Sequence, residues 1–224
     1  MSQPTITFRV FRFRAGDPDS ARFEEATLPV NETTTVLDVL ERLRGGDPPL
    51  MYRHSCHHGS CGTCACRING RERLACTTRV LDLDAKVVTV EPLRKLQPVG
   101  DLVVDPVDFF REYPSEWQTL RGSEWQPEAS PPVDLPGFTR LENCIECRAC
   151  VSACPVENFL GPAVLAGLNR ERANHPGKEA QLLELAECDR GVWKCKRALE
   201  CSRVCPTGVY PARHIQELRK KLEQ

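Results

Sequence analysis

Ile6, Phe8 and Val10 alternate with Thr7 and Arg9 near the start of the chain, the period-two pattern of a strand that buries one face. Phe11 and Phe13 then carry the apolar positions onto the other parity, which predicts a bulge or burial on both faces. Thr35 with Asp38 forms a cap signal, and Val36, Val39, Leu40 and Leu43 follow at helical spacing until Gly45-Gly46 stops them. Residues 86–91 read as a further strand. At least two strands, one helix and a long loop between them predict a small mixed α/β domain over residues 1–98. From Gly137 onward the pattern turns helical, with runs over 163–172 and 179–187 and a charged closing helix over 214–222.

Between these halves lies a stretch of a different kind. Six prolines fall between Pro106 and Pro136, which breaks regular structure and predicts a connector over 99–136. Phe109, Phe110, Tyr113, Trp117 and Trp125 give it apolar surface, so a tethered connector is expected rather than a free linker. The resulting division is a first domain over 1–98, a connector, and a second domain over 137–224.

The cysteines sharpen that division. Of thirteen, five lie between Cys56 and Cys76 and eight between Cys144 and Cys205. A basic n-region and apolar h-region are absent before the first strand, so a reducing cytosolic setting is expected, where clustered thiols serve as metal ligands more readily than as disulfides. Apolar runs are interrupted by charge before the roughly 18 residues that a spanning helix requires.

The formal net charge is −1, but from Arg190 onward nine basic residues face three acidic ones. Nucleic acid is not the expected partner, because the chain lacks the globally basic pI of such proteins. Balancing anionic thiolate clusters, or docking near an anionic membrane surface, accounts for the basic end.

Cys56, Cys61, Cys64 and Cys76 follow the C-x4-C-x2-C…C spacing of plant-type two-iron ferredoxins. Gly59 and Gly62 let such a loop wrap a cluster with thiolates pointing inward. Cys66 is expected to be a small buried residue. His54, His57 and His58 raise a Rieske-type alternative, but four well-spaced cysteines already fill the coordination shell, so exposed loop histidines are expected.

Cys144, Cys147, Cys150 and Cys154-Pro155 form C-x2-C-x2-C-x3-C-P, the two-cluster ferredoxin run whose fourth cysteine serves the other cluster. The run recurs as Cys195, Cys201 and Cys205-Pro206, with Ala198 where the second cysteine should stand. Exchange of the fourth ligand gives Cys144, Cys147, Cys150 and Cys205 for a [4Fe–4S] cluster. It leaves Cys154, Cys195 and Cys201, three thiolates suited to [3Fe–4S]. A four-iron cube completed by solvent or substrate is the alternative, against which stands the lack of a substrate-pocket motif. Cys188 fits neither run and is expected to be a buried, inert thiol.

With these motifs in place, the chain resembles the iron–sulfur subunits of succinate dehydrogenases and fumarate reductases over nearly its whole length. Tyr52-Arg53-His54-Ser55-Cys56, Cys61-Gly62-Thr63-Cys64, Leu74-Ala75-Cys76 and Asp101-Leu102-Val103-Val104-Asp105 look like that family's motifs, and Gly191-Val192-Trp193 looks like its fumarate reductase branch. The resemblance implies an α+β chain: an N-terminal β-grasp domain like plant-type 2Fe-2S ferredoxins, then an all-α helical ferredoxin domain. It further implies a FAD-bearing flavoprotein partner and membrane anchor subunits, a cytochrome b with haem being one form of anchor. Electrons would pass between flavin and quinone through the [2Fe–2S], [4Fe–4S] and [3Fe–4S] centres in turn, at the cytoplasmic face of a prokaryotic inner membrane. Substrate chemistry would belong to the flavoprotein, with no catalytic residue in this chain.

Some positions depart from the family. Val156-Glu157-Asn158-Phe159 stands where many ubiquinone enzymes place tryptophans, Lys196 replaces a histidine, and Thr207 replaces a lysine seen in some fumarate reductases. Phe159, Lys196 and Thr207 are therefore candidates for quinone contact as well as for ordinary packing. Two other functions stay open on these residues: an iron–sulfur partner of another flavin dehydrogenase or a soluble multi-cluster ferredoxin, and a structural zinc protein.

Overall fold

The computed structural model describes residues 3–105 and 144–224. The expected connector from residue 106 on, its aromatic residues and the expected start of the second domain at 137 lie outside the described residues.

The first half is a seven-stranded mixed sheet with one helix against it. Strand β1 (Thr5–Arg14) pairs antiparallel with β2 (Asp17–Pro29) on one side and parallel with β5 (Val87–Glu91) on the other. The sheet continues from β5 to β3 (Ala65–Ile68) and then β4 (Arg71–Leu74). At the far end of β1, Arg14 pairs with Gly100 of β6 (Pro98–Gly100), which pairs in turn with β7 (Val103–Val104). The sheet therefore runs past residue 98.

Alternation along β1 sends Phe8 and Val10 into the core, as the pattern predicts. Arg12 keeps the same parity and is buried, while Phe11 meets Phe23 edge-on across the other face. The pairing with β2 shifts register between Arg12 and Arg14, so the expected irregularity is present. Burial of Arg12 is offset by ion pairs with Asp101, at 3.1 Å, and Glu24, and by a bond to the Pro48 carbonyl.

Helix α1 (Val36–Leu43) starts on a reciprocal capping box: Thr35 Oγ1 accepts from Asp38 N, and Asp38 Oδ2 accepts from Thr35 N. Its Val36, Leu37, Val39 and Leu40 pack with Phe8, Val10, Val88 and Val90 into the first core.

The second half is helical. Two short helices, α2 (Ala149–Ala153) and α5 (Glu200–Arg203), sit within the cysteine runs. Three longer ones, α3 (Pro162–Asn174), α4 (Glu179–Glu187) and α6 (Pro211–Leu222), match the expected helical runs and extend two of them by a turn or less. Both α3 and α6 begin on proline, whose missing N–H costs nothing in a first turn. Leu165, Leu168, Leu182, Ala186, Ile215 and Leu218 form the second core.

Candidate metal-cluster sites

The loop between α1 and β3 carries Cys56 and Cys61, Cys64 directly precedes β3, and Cys76 sits in a 3₁₀ turn over Ala75–Thr77. The Ala75 N–H donates to the Cys64 carbonyl at 3.2 Å, which ties the fourth thiol to the third. Gly59 and Gly62 both hold positive φ, 84° and 71°, so the loop turns where an L side chain would strain it. Ser60 N and Cys61 N both donate to Cys56 Sγ at 3.3 Å, and Thr63 Oγ1 lies 3.2 Å from Cys61 Sγ.

Charge in this loop is steered toward thiolate at one end and thiol at the other. Backbone hydrogen bonds, led by that of His58 and opposed by desolvation, pull Cys56 down to about 5. Burial, with Cys64 beside it, pushes Cys76 up to about 12. Only a positive centre among these sulfurs would stabilise all of them as thiolates at once. Cys66 points away from them into the core, where burial raises its thiol, as expected of a small apolar residue.

The two cysteine runs of the helical half fold alike. From Cys144 to Cys195 is 51 residues, and at that offset Glu146 (φ 52°) matches Arg197 (φ 54°), and Arg148 (φ 63°) matches Leu199 (φ 64°). Each run turns twice through left-handed backbone and then enters a short helix, α2 or α5. Ala198 thus occupies the backbone station of Cys147, in a loop that kept its shape without the thiol. The absent sulfur is a difference of side chain alone.

The fold brings cysteines of the two runs close to one another. Cys144, Cys147, Cys150 and Cys205 line one cavity together with Ala163, Ala166 and Val209. Desolvation within the cavity is the main reason the thiols of Cys144, Cys147 and Cys150 are raised, Cys147 to about 11, although Cys144 also reaches the surface, and the charge of Cys205 adds to it in all three. Val209 N donates to Cys205 Sγ at 3.3 Å. Cys154 and Cys201 are likewise raised, Cys201 to about 11, first by burial and then with Cys195 acting on both. Cys201 also acts on Cys150, so the two sets adjoin. Each set offers sulfur donors, backbone N–H groups aimed at sulfur, and thiols that a cationic centre would convert to thiolates. Iron–sulfur clusters suit that donor chemistry.

The two halves meet at these loops. A Cβ on Gly62 would lie 2.7 Å from the Ile145 carbonyl oxygen and 2.9 Å from Cys147 Cβ, so glycine there permits the two-iron loop to touch the four-thiol loop. Behind that contact, Ser152 Oγ donates to Glu72 Oε1 at 2.7 Å and accepts from Arg94 N at 2.8 Å, with both side chains buried. Arg71 reaches the Arg203 carbonyl, and Lys95 the Val156 carbonyl and Glu157.

Several of these residues were not singled out from the sequence. Ser152 sits between Cys150 and Cys154, and only its polarity at a buried helix position could have flagged it. Arg219 of α6 is a second case: its guanidinium is buried and donates to the carbonyls of Val192, at 3.0 and 2.6 Å, and Cys195, at 2.7 Å, beneath the ring of Trp193. It clamps the turn that presents Cys195. Replacing Arg219 with Met leaves the Cys195 carbonyl without this donor, a loss worth about 1–3 kcal/mol when unsatisfied, while the Val192 carbonyl keeps the Cys195 N–H at 3.2 Å. Chemical denaturation should show a loss of about 1–3 kcal/mol, with the Cys195 centre lost before the others.

One expectation is corrected. Cys188 is exposed, because α4 ends at Glu187 and the cysteine falls at its cap rather than on its inner face. Of the three quinone candidates, Phe159 packs against the second core, Lys196 is exposed, and Thr207 Oγ1 lies 3.7 Å from Cys205 Sγ.

A chain with a thiol-bearing sheet domain and a helical domain built on a doubled cysteine run is a multi-cluster iron–sulfur protein. Residues 7–111 match the 2Fe-2S iron-sulfur cluster binding domain and residues 140–209 the 4Fe-4S dicluster domain. Among relatives, a fumarate reductase iron-sulfur subunit of Mycobacterium tuberculosis is 34% identical over 96% of this chain and 91% of its own. A succinate dehydrogenase iron-sulfur subunit of Coxiella burnetii is 30% identical over 98% and 97%. A chain of the Mycobacterium smegmatis Sdh1 complex in the apo form superposes with a TM-score of 0.72 at 26% identity, covering 99% of this chain and 96% of that one. The chain belongs to the family of succinate dehydrogenase and fumarate reductase iron–sulfur subunits. It is α+β, with a two-iron-type domain followed by a helical ferredoxin-like one.

Proposed function

We propose that this chain relays electrons between the FAD of a flavoprotein subunit and quinone at a membrane anchor. Cys56, Cys61, Cys64 and Cys76 would hold [2Fe–2S], Cys144, Cys147, Cys150 and Cys205 would hold [4Fe–4S], and Cys154, Cys195 and Cys201 would hold [3Fe–4S]. When bound, these groups supply one-electron carriers in series. The protein would fix their order and tune them through N–H groups aimed at sulfur.

The observation that carries this reading is that the three thiol sets adjoin one after the next. Gly62 abuts Cys147, and Cys150 adjoins Cys201. Membrane attachment would come from anchor subunits, since no helix among the described residues is long and apolar enough to cross a membrane.

The test is affinity purification of the tagged chain from its source membranes. A FAD-containing subunit and an apolar anchor should accompany it, and that assembly should oxidise succinate or reduce fumarate with a quinone acceptor. The isolated cluster-loaded chain should do neither and bind no FAD. Recovery with a different flavin dehydrogenase, or of a soluble chain without partners, would replace the proposal with one of those functions.

A further inference from the structure

Outside the thiol sets, one group of side chains has the makings of a metal site. Glu41 of α1, His54 and His57 bring three donor atoms together: His54 Nδ1 and His57 Nε2 are 3.0 Å apart, and Glu41 Oε1 lies 3.8 Å from the first and 3.7 Å from the second. A point equidistant from all three in their plane is about 2.0 Å from each, within the range of Zn–N and Zn–O bonds to imidazole and carboxylate.

Two features favour a cation over a bare hydrogen bond between the rings. A bond between His54 and His57 needs only their two nitrogens, yet the carboxylate oxygen is centred on the pair at nearly equal distances. His58, the third histidine of the loop, is engaged elsewhere, with Ser60 Oγ at 2.7 Å and the Cys56 carbonyl, so the pair that converges on Glu41 is distinct. His54 is held in place by stacking on Tyr52 at a ring separation of 5.1 Å, and His57 stands edge-on to it at 5.0 Å.

We infer that Glu41, His54 and His57 form a binding site for a zinc-class divalent cation, separate from the cysteine sites. Two imidazoles and a carboxylate suit Zn²⁺ and its borderline neighbours rather than Mg²⁺ or Ca²⁺. All three side chains are partly exposed, which leaves a fourth position open to water. His57 directly follows Cys56, so a bound cation braces the start of the two-iron loop against α1. It also places positive charge next to a cluster ligand.

The test uses the full-length chain with its clusters loaded, so that the cysteines are engaged, and ZnCl₂ as the probe. Equilibrium dialysis with metal analysis should find one zinc per chain, and X-ray absorption should show a nitrogen and oxygen shell near ~2.0 Å. His54→Ala and His57→Ala should each weaken retention at least tenfold and Glu41→Gln severalfold, with iron content unchanged. Zinc loading should shift the two-iron EPR signal in the wild type and not in the His54→Ala, His57→Ala double variant. No stoichiometric zinc, zinc retained equally by the double variant, or a sulfur shell near ~2.3 Å would each overturn the inference.

Discussion

Substituting Ala198 with cysteine should convert the three-iron centre of this chain into a four-iron one. Residue 198 stands at the same backbone station as Cys147, between left-handed Arg197 and Leu199 as Cys147 is between left-handed Glu146 and Arg148. A thiol introduced there needs no rearrangement of the main chain, and Ala198 is exposed, so the added sulfur meets no packed neighbour on the solvent side. With a fourth thiolate in place, a fourth iron gains its ligand. Cluster type sets the potential: an oxidised three-iron centre is all ferric, whereas an oxidised four-iron centre is already half ferrous, so its next electron is taken up at lower potential. The shift should be on the order of 100 mV or more, within the ~1.1 V range that such sites span. EPR of the oxidised variant should lose the three-iron signal, and redox titration should find the new centre at lower potential. Quinone-linked turnover of the assembled complex should fall by about tenfold or more, while dye-linked flavin activity stays near wild type, because a last carrier lower by that amount is tenfold or more harder to fill. An unchanged three-iron spectrum would mean that the second cysteine run is misaligned.

The second large effect concerns the crossing of ligands between the runs. Cys205→Ser should empty the site of Cys144, Cys147 and Cys150, although it lies more than fifty residues from them, and Cys154→Ser should empty that of Cys195 and Cys201. The structural ground is that Cys205 lines one cavity with Cys144, Cys147 and Cys150, whereas Cys154 lies close enough to Cys195 and Cys201 for their charges to raise one another's thiols. Iron analysis with EPR separates the two variants: the first should lose four irons and keep the oxidised three-iron signal, and the second should lose that signal. The opposite pattern would assign each fourth cysteine to its own run.

What could be read from the sequence was whatever is local and periodic. The capping box of Thr35 and Asp38, the helical runs over 163–172 and 179–187, and the spacing of the cysteines each depend on residues a few positions apart. Strand β2 escaped because its early residues, Asp17 to Asp19, are exposed and offer no apolar position, so alternation gave no signal. The β3–β4 hairpin also escaped, although Asn69-Gly70 between Ile68 and Arg71 is a turn signal that could have marked it. Strands β6 and β7 hold three and two residues, too few for any period to appear.

At the sites, the ligand sets were legible because thiol spacing reflects cluster geometry. Their supports were not. Gly62 is shaped by Ile145 and Cys147, Ser152 by Glu72, and Arg219 by the carbonyls of Val192 and Cys195, all contacts across long stretches of chain. Cys188 was misplaced for a related reason: burial at a helix end depends on where the helix stops, and α4 stops one residue short of it.

The central claim is that eleven cysteines of this chain hold three different clusters. Iron and acid-labile sulfide analysis of the anaerobically purified chain, combined with low-temperature EPR, tests it most directly. The account predicts about nine irons per chain from two-, four- and three-iron centres, with a three-iron signal in the oxidised sample and a two-iron signal after reduction. A colourless preparation containing zinc and no labile sulfide, or an iron-loaded one without the oxidised three-iron signal, would contradict it.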